Sequence, residues 1–505
     1  MTRRMKWASP RRVLAVASVI GAIVTATALA WWPPRPREIT QLMVLRQEPT
    51  AGPLRVSTEN GRYLVDRNGK SVYLTGSHTW ANFQDSGSSE PPPAFDFAAY
   101  LDFLTRHNHN FVRLWVWENA SGAPWVTSAY HLRPLPFART GSTLAGDGKP
   151  RFDLNRFDEE FFARLRERVA AARDRGIYVS VMLFDGWSIE DKDLRLGNGW
   201  PGHPMQRDNN VNDIDGDPNR DGEGKEVHTL AIPAVTAIQE RYVRKVIDTI
   251  GDLDNVLYEV SNESHAASEP WQYHIINVIK AHENGRFLRH PVGMTVEWPD
   301  GSNEDLFAGP ADWISPRPAV HDVKYPLPGD ARKVVLYDTD HVCGVCADAD
   351  WVWQSFLRGV SVIFMDPYDG QAVGMGSPKN YDATEPQWGQ VRRQMGYALT
   401  LANQIDLSRA VPLPERCSSG FCLLIESNTS IEVLAYLPAR SVRGIRLPVP
   451  RSLEVDVGRK THVFTVRWLN VETGEMAIMT DVEGRGRIDL KSPFVAPSVL
   501  HLRVR

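Results

Sequence analysis

Asn255-Val-Leu-Tyr-Glu-Val-Ser-Asn-Glu-Ser264 is the stretch that decides the fold of this chain. Its apolar and β-branched residues predict a short buried strand that ends abruptly in polar residues. Residues 239–250, just before it, carry apolar side chains at helical spacing, so Asn262 and Glu263 stand at the carboxyl end of a strand that follows a helix. In parallel α/β proteins that end carries the chemistry. A strand that simply ends in a solvated loop would show the same pattern, so the remaining strands must decide between a functional and a structural interpretation.

The same unit, a buried strand followed by polar residues and a helical segment, recurs along the chain. Counting from Val72, eight strand-like segments cover residues 72–75, 111–117, 177–183, 256–260, 291–296, 311–315, 333–337 and 361–365. Continuous apolar runs indicate strands that are buried on both faces. The pattern predicts an α/β fold, a (β/α)8 TIM barrel with insertions. A doubly wound open sheet is the alternative, although no glycine-rich phosphate fingerprint follows any strand.

Four regions follow from composition and pattern in the 505 residues. Residues 1–32 join a basic segment to an uncharged apolar run and predict a signal peptide or an uncleaved signal anchor. Residues 33–53 are rich in Pro and Arg and predict a linker. Residues 54–410 predict the barrel, which opens with a β-hairpin around Asn68-Gly69. Residues 411–505 show short strand-like segments without helical spacing and predict a C-terminal β-sandwich.

The setting and the partners follow from the same features. Either interpretation of residues 1–32 places the remainder outside the cytoplasm, secreted or held at the membrane by the N-terminal helix. A net charge of −4 gives no argument for nucleic acid. In an exported chain, the pairs Cys343/Cys346 and Cys417/Cys422 predict local disulfides rather than a zinc site, because clustered histidines and a second CxxC spacing are missing. The oligomeric state is left open.

Polar and aromatic residues recur where the predicted strands end, and in a barrel these ends converge on one mouth. The set comprises His78, Trp80, Arg113, Trp117, Asp185, Trp187, Asn262, Glu263, Glu297, Trp298, Asp338, Asp340, His341, Asp366 and Tyr368. Aromatic rings that stack on sugars, and carboxylates that bind hydroxyls or cleave bonds, indicate a carbohydrate substrate. For each single Trp, packing in the core explains the residue about equally well.

Three motifs resemble a known group of enzymes. Leu257-Tyr-Glu-Val-Ser-Asn-Glu263 resembles the fourth-strand motif of the glycoside hydrolase clan A barrels. Residues 61–80 resemble the N-terminal start of the apiosidase-like branch, in which a small β-domain labelled collagen-binding follows the barrel. Ala435-Tyr-Leu-Pro438 and Arg467-Trp-Leu-Asn-Val-Glu-Thr-Gly-Glu475 resemble motifs of that domain. The resemblance runs from about Arg55 to Arg505.

The resemblance implies roles for the residues that match. Glu263, after Asn, corresponds to the general acid/base of the clan, and Arg113 resembles the strand-two arginine that orients the strand-seven carboxylate. The clan has a nucleophilic Glu at the end of strand seven, where this chain supplies Asp338. Asp340, two residues on, is the reserve. Because Asp is one methylene shorter than Glu, retention or inversion stays open. We expect His341 to orient Asp338.

The predicted function is an extracytoplasmic glycoside hydrolase that cleaves a poly- or oligosaccharide. Glu263 would protonate the glycosidic oxygen, Asp338 would attack the anomeric carbon or activate water, and Asn262 would hold a sugar hydroxyl. The other residues of the mouth would form subsites. The alternative is a non-catalytic carbohydrate-binding or adhesion protein on the same scaffold, which the Asp in place of Glu keeps open. A third reading is a disulfide or metal protein built on Cys343 and Cys346.

A calcium site is a separate prediction. Asp217-Pro-Asn-Arg-Asp-Gly222 matches the first half of a calcium loop, with Asp217, Asn219 and Asp221 as ligands. His228 occupies the twelfth position, where a bidentate Glu is typical. A solvated acidic loop is the alternative. The two-carboxylate mechanism itself requires no cofactor.

Overall fold

The computed structural model describes residues 34–44, 48–80, 82–127, 129–318, 329–368, 384, 386–427, 430–439, 441–442, 445–446 and 451–505. The predicted signal peptide or anchor lies outside these residues. Within them, no helix combines the length and apolarity needed to cross a bilayer. The described residues divide into two compact units, the larger within Met43–Pro412 and Leu423–Glu426, and the smaller within residues 34–42, Leu413–Cys422 and Ser427–Arg505.

Eight parallel strands form the centre of the larger unit. They are β1 (Thr75–His78), β2 (Phe111–Leu114), β3 (Tyr178–Asp185), β4 (Val256–Asn262), β5 (Val292–Thr295), β6 (Trp313–Ser315), β7 (Val334–Asp338) and β8 (Ser361–Met365). Each strand from β2 to β8 pairs with the next, and β8 pairs with β1. All eight are buried along their whole length, which explains their continuous apolar runs. The predicted TIM barrel is confirmed.

Asn110 closes the barrel between β1 and β2. Its backbone N–H donates to the carbonyl oxygen of Thr75 at 3.0 Å, and its side-chain oxygen accepts from the Thr75 N–H at 2.9 Å. The two strands approach so closely that a Cβ on Gly76 would lie 1.8 Å from the carbonyl oxygen of Phe111. Glycine is therefore required at this point of closure.

Seven helices of the larger unit surround the barrel in the described residues. They are α1 (Phe97–Arg106), α2 (Glu159–Arg173), α3 (Pro233–Ile250), α4 (Glu269–Glu283), α5 (Asn303–Ala308), α6 (Ala349–Leu357) and α7 (Pro386–Ala402). The side chain of Asp158 caps α2 by accepting from the Glu160 N–H at 2.9 Å. Gly176, at φ +74°, follows its C-terminus, as the sequence predicts.

The predicted hairpin closes the amino end of the barrel. Three short strands, Arg55–Val56, Leu64–Val65 and Ser71–Val72, pair antiparallel around the Asn68-Gly69 turn. Leu54, Leu64 and Leu74 pack on residues that begin the barrel strands, namely Phe111, Tyr178, Leu257 and Val334. Each fully buried Leu contributes up to about 1.5–3 kcal/mol. This plug leaves the carboxyl ends of the strands as the open face.

Two insertions before α2 were not predicted. Phe137–Leu144 pairs with Pro150–Phe157 as a long hairpin, and His131–Arg133 pairs with Asp85–Gly87. Most of the hairpin's side chains are partly or fully exposed, so it lacks the apolar alternation that marks a half-buried strand.

The smaller unit is an antiparallel β-domain, which confirms the all-β prediction for the C-terminal region. Its main sheet contains Ile431–Leu437, Ser498–Val504, His462–Asn470, Glu475–Ile478 and Val482–Gly484, and Ser452–Asp456 pairs separately with Arg487–Lys491. Ser441–Val442 pairs with Ile445–Arg446. The predicted linker is wrong in one part: Glu38–Gln41 adds a strand to Glu475–Ile478. Its four side chains are all exposed, so backbone pairing alone holds it and the sequence carries no apolar signal.

Candidate active site

Arg113 is the hub of the polar residues inside the carboxyl end of the barrel. Its guanidinium, on β2, donates from Nε and Nη2 to the carboxylate of Glu259 on β4. Nη1 donates to Asp338 at 3.0 Å and to Asp340 at 3.3 Å, and Nη2 donates to the side-chain oxygen of Asn262 at 3.0 Å. The rigid fork of an arginine therefore fixes three carboxylates and one amide relative to each other.

Asp338, the last residue of β7, is an internal anion. It is 1 % exposed, and its Oδ1 accepts from His78 Nε2 and from the Asp340 N–H, both at 3.0 Å. Burial opposes its charge, but the charges of His78 and Arg113 outweigh burial and hold the pKa of Asp338 well below its usual range. Both oxygens are thus engaged with protein groups.

Asp340 is the carboxylate that faces Glu263. It lies in the 3₁₀ turn Thr339–His341, which starts directly after β7, and its side chain is 8 % exposed. One oxygen each of Glu263 and Asp340, and a ring nitrogen of His341, lie within 4.8 Å of one another. Burial raises the pKa of Asp340 to about 6 against the opposing charge of Arg113, and the charge of Asp338 adds to the rise.

Glu263 directly follows β4 and is 6 % exposed. Its Oε2 accepts from the indole N–H of Trp187 at 2.6 Å. Burial, and then the charge of Asp340, raise the pKa of Glu263 to about 8. At neutral pH Glu263 therefore holds a proton while Asp340 is ionised. A proton donor beside an anion is the arrangement that two-carboxylate catalysis requires.

The predicted role of His341 is wrong, and His78 takes it. The nitrogens of His341 lie 2.8 Å from Ser315 Oγ and 3.1 Å from Asn262 Oδ1, because the 3₁₀ turn carries the ring away from Asp338 toward β6. Burial and the charge of Arg113 lower the pKa of His341 to about 3, so it is neutral. His78 is fully buried on Asp338, so it orients that residue and is not a subsite.

Three of the four predicted Trp subsites stay accessible. Trp187 and Trp298 stack with ring centres 5.9 Å apart, and both are half-buried, as is Trp80. The prediction for Trp117 is wrong. Its ring is buried against Trp115 and Trp125, where it serves packing.

Three further predicted residues lie apart from the pair. Asp185 is completely buried, and burial followed by the charge of Glu118 raises its pKa well above the usual range. Its carboxyl oxygen lies 3.4 Å from the amide nitrogen of Asn262 and helps to orient that side chain. Asp366 forms an ion pair with Arg392 on α7, and Tyr368 packs on Tyr100 and Phe103 of α1. The subsite prediction for Asp366 and Tyr368 is wrong, because both face the helical layer.

Glu297, after β5, is buried without a hydrogen-bond partner among the described residues. It is 2 % exposed, and neither carboxyl oxygen is hydrogen-bonded. Burial raises the pKa of Glu297 to about 7. The next residue, Trp298, stacks on Trp187 at the mouth of the barrel, so Glu297 lies behind these two Trp rings.

Sequence reasoning missed three groups around the pair. Glu259 could have been found, since it lies two residues before Ser261 and so on the same face of a buried strand. Glu118 accepts from His228 Nε2 at 2.9 Å and lies 3.5 Å from His203, and no spacing in the sequence links these residues. Burial would raise the pKa of Glu118, but the charges of the two histidines dominate and lower it to about 2. Lys192, which is buried in the segment after β3, is the third group that the sequence did not predict.

The metal predictions stay untested. Asp217 accepts from the N–H groups of Asp221 and Gly222 at 3.2 and 3.1 Å, and Asn219 donates to Asp221 at 3.1 Å, so the loop is a compact turn. His228, at its twelfth position, turns inward to Glu118 instead. Calcium binding therefore remains a prediction.

Glu263, Asp340 and His341 could also hold a metal ion by distance alone. Both nitrogens of His341 already lie within hydrogen-bonding distance of Ser315 and Asn262. The residues therefore fit an acid/base pair with a fixed neutral imidazole better than a metal centre.

Both predicted disulfides are present. Cys343 pairs with Cys346 in the segment that follows the Asp340 turn, and Cys417 pairs with Cys422 in the smaller unit. The backbone N–H groups of Cys343 and Gly344 donate to the carbonyl oxygen of Thr339 at 2.9 and 2.8 Å. The first disulfide therefore lies against the turn that carries Asp340.

Comparison with known proteins gives the fold. The family described as "Domain of unknown function (DUF6298)" matches residues 120–297. No curated protein matches the sequence. A protein of Bacteroides vulgatus ATCC 8482, itself assigned only provisionally as a glycoside hydrolase, is similar in structure with a TM-score of 0.56 at 14% identity, over 90% of this chain and 83% of that chain.

A glycoside hydrolase family 5 structure from Bacteroides vulgatus ATCC 8482 gives a TM-score of 0.54 at 13% identity, over 91% of this chain and 95% of that chain. These likenesses show that the chain shares the barrel fold of these two proteins. At such low identity the chemistry must be argued from the site itself.

Proposed function

We propose that this protein is an extracytoplasmic glycoside hydrolase that cleaves O-glycosidic bonds of a poly- or oligosaccharide, with Glu263 as general acid/base and Asp340 as nucleophile. The observation that carries the proposal is the approach of these two carboxyl groups to within 4.8 Å, one with a raised pKa of about 8 and the other about 6. Two carboxyl groups with separated pKa values at one strand-end mouth provide an acid and an anion together.

In the first step, Glu263 donates its proton to the glycosidic oxygen while Asp340 attacks the anomeric carbon. The carbon–oxygen bond to the leaving group breaks, and a glycosyl ester with Asp340 forms. Glu263, now ionised, then takes a proton from water, which attacks the anomeric carbon and frees Asp340. Retaining enzymes hold the two carboxyl groups about 5–5.5 Å apart and inverting enzymes about 6.5–9.5 Å apart. The short separation favours retention.

This assignment moves the second role from Asp338 to Asp340. Asp338 has no free oxygen toward the pair, because His78, Arg113 and the Asp340 N–H engage it. Its charge instead keeps Arg113 and the Asp340 turn in place. In glycoside hydrolase clan A, a single carboxylate at the end of strand seven is the nucleophile. In this chain two residues would share that position: Asp338 anchors the site, and Asp340 faces the substrate.

Asn262 and the aromatic residues would bind the sugar. The side-chain oxygen of Asn262 is engaged by Arg113 and lies 3.1 Å from His341 Nε2. One hydrogen of its amide nitrogen points to Asp185 at 3.4 Å, so the second amide hydrogen is the one that would meet a hydroxyl. Trp187, Trp298 and Trp80 are half-buried and offer ring faces for stacking.

The finer assignments rest on sequence motifs. The apiosidase-like branch and the collagen-binding label of the smaller unit are supported only by those motifs. Residues 435–437 lie in the strand Ile431–Leu437, and residues 467–470 lie in the strand His462–Asn470. Two disulfides suit an oxidising compartment outside the cytoplasm.

A release screen tests the function. The purified protein is incubated with plant and bacterial polysaccharides, and new reducing ends are measured beside Glu263→Gln. We expect release by the wild type and none by the variant. Binding of a glycan by both proteins, with no release by either, would favour the adhesion alternative instead.

A further inference from the structure

Lys192 is a buried cation in the long segment after β3. Its side chain is completely buried, an unusual place for a lysine unless its charge is paired. The carboxylate of Glu190 pairs with it, and Glu190 also lies 3.3 Å from Lys225. A single ion pair with Glu190 would balance the charge of Lys192 but would leave two of its ammonium hydrogens without a hydrogen-bond acceptor.

Those two hydrogens reach backbone oxygens of the active site. The ammonium nitrogen of Lys192 donates to the carbonyl oxygen of Glu263 and lies 3.4 Å from the carbonyl oxygen of Trp298. Glu263 follows β4 and Trp298 follows β5. One side chain from the β3 segment therefore ties together the ends of three neighbouring strands, at the acid/base residue and at the aromatic pair.

The backbone of Glu263 needs such support. Its φ is +42°, in the left-handed region that a residue with a Cβ rarely adopts. The carbonyl oxygen of Glu263 is also crowded by the β3 end, because a Cβ on Gly186 would lie 2.4 Å from it. The direction of the Glu263 side chain follows from this strained backbone, so whatever holds its carbonyl group sets where the carboxyl group points.

The charge of Lys192 acts on the same residue. Burial and Asp340 raise the pKa of Glu263, whereas Lys192 and Arg113 lower it. The other ionisable groups near Glu263 are Asp340 and the neutral His341 from the β7 turn, Arg113 on β2, and Asp185 at the end of β3. None of them is hydrogen-bonded to Lys192 in the described part of the chain.

We infer that Lys192 is a positioning residue for Glu263: its ammonium group holds the carbonyl of the acid/base residue in the left-handed conformation that aims the carboxyl group at Asp340. The role rests on the proposed function, because it concerns the same acid/base residue. Lys192 does not touch the substrate in this role. It acts through Glu263 and through the carbonyl of Trp298.

The test follows the titration of Glu263 without any substrate. The side-chain carboxyl carbon is observed by ¹³C NMR and assigned by its absence in Glu263→Gln. In Lys192→Met we expect the titration midpoint to rise by about one pH unit, since a nearby positive charge is lost. Lys225→Met is the matched control, because Lys225 shares Glu190 but does not contact the Glu263 carbonyl. Its midpoint should equal that of the wild type.

An unchanged midpoint in folded Lys192→Met would overturn the inference and leave Lys192 as a structural ion pair. If methionine prevents folding, Lys192→Gln replaces it in the titration, because it also removes the charge. Glutamine can still donate to the carbonyl, so its kcat should stay closer to the wild-type value than that of Lys192→Met, and equal losses of kcat in the two variants would reduce the role of Lys192 to its charge. Once a substrate is known, kcat of Lys192→Met should fall about tenfold with little change in KM. The alkaline limb of its pH profile should move to higher pH by the same amount as the titration midpoint of Glu263. The titration does not depend on sugar cleavage, so a failed release screen leaves this test intact.

Discussion

The backbone N–H of Asp340 donates to the carboxylate of Asp338 at 3.0 Å. Asp338, the carboxylate that the strand register predicts as the catalytic one, therefore supports Asp340, the carboxylate that faces Glu263. Asp338 binds inward, to Arg113 and His78, whereas Asp340 turns outward toward the mouth. Two acidic residues, two apart in sequence, thus divide the anchoring and chemical roles.

Glu263→Gln should lower kcat by about 10²- to 10⁴-fold on substrates whose leaving group needs protonation. The amide keeps the shape of the side chain but supplies no proton. Glu304→Gln, the same change at an exposed position on α5, is the matched control and should keep wild-type rates. Steady-state rates of reducing-end release provide the measurement. Equal rates in wild type and Glu263→Gln contradict the acid/base role.

Glu263→Gln should also be more stable than the wild type at alkaline pH. The native pKa of Glu263, about 8, lies above the usual value of 4.5, so the folded protein binds more protons than the unfolded chain between these values. Wild-type stability then falls as pH rises through that window, and the amide removes this loss, worth on the order of 4 kcal/mol near pH 8. Denaturant unfolding at pH 4 and pH 8 measures it. An equal stability difference between the two proteins at both pH values would count against a raised pKa.

Asp338→Asn and Asp340→Asn should separate stability from activity. Asp338→Asn removes one partner of a buried ion pair and should cost about 3–5 kcal/mol of the free energy of unfolding. Because the native pKa of Asp338 lies below its usual value of 3.8, this difference is present at neutral pH and diminishes as the pH falls below about 4. Asp340→Asn should be inactive but no less stable than the wild type at neutral pH, because the raised pKa of Asp340 costs the native state stability there. The reverse pattern would return the nucleophile to Asp338.

The pH profile of kcat/KM should be bell-shaped. Below about pH 6 Asp340 takes up a proton and can no longer attack, and above about pH 8 Glu263 loses the proton it must donate. The rate should therefore be highest between these values. A profile that keeps rising above pH 9 would contradict the assignment of Glu263 as acid.

Trp187→Phe should move the alkaline limb of that profile upward by up to about one pH unit. The indole N–H stabilises the charged form of Glu263 through the 2.6 Å hydrogen bond, so its loss raises the pKa of Glu263. Trp298→Phe keeps this hydrogen bond and should leave the limb in place while raising KM. Identical limbs in wild type and Trp187→Phe would show that the hydrogen bond is absent in solution.

Most of the barrel could be predicted because its strands are buried on both faces and read as continuous apolar runs. Arg113, Asn262 and Glu263 were found for the same reason: each stands at or near the end of such a run. The choice between Asp338 and Asp340 failed on local geometry. The strand ends at Asp338 and a 3₁₀ turn begins there, so the two-residue period that the prediction used no longer applies.

Lys192 and the cluster around Glu118 could not be predicted. A lysine in a polar segment normally points to solvent, and only the path of the chain after β3 buries this one. Glu118 lies in the segment after β2, whereas His203 and His228 lie in the segment between β3 and α3, and they meet only because these two segments fold against each other. The strand Glu38–Gln41 was not predicted for another reason: it depends on backbone hydrogen bonds and not on a pattern of side chains.

The central claim is that Glu263 and Asp340 act as one pair in one site, and the Glu263 titration in Asp340→Asn tests it most directly. The charge of Asp340 raises the pKa of Glu263, so its removal should lower the ¹³C NMR midpoint of Glu263 by about one pH unit or more, while Glu304→Gln leaves it unchanged. A midpoint in Asp340→Asn equal to that of the wild type would contradict the claim, because two carboxyl groups this close must sense each other's charge.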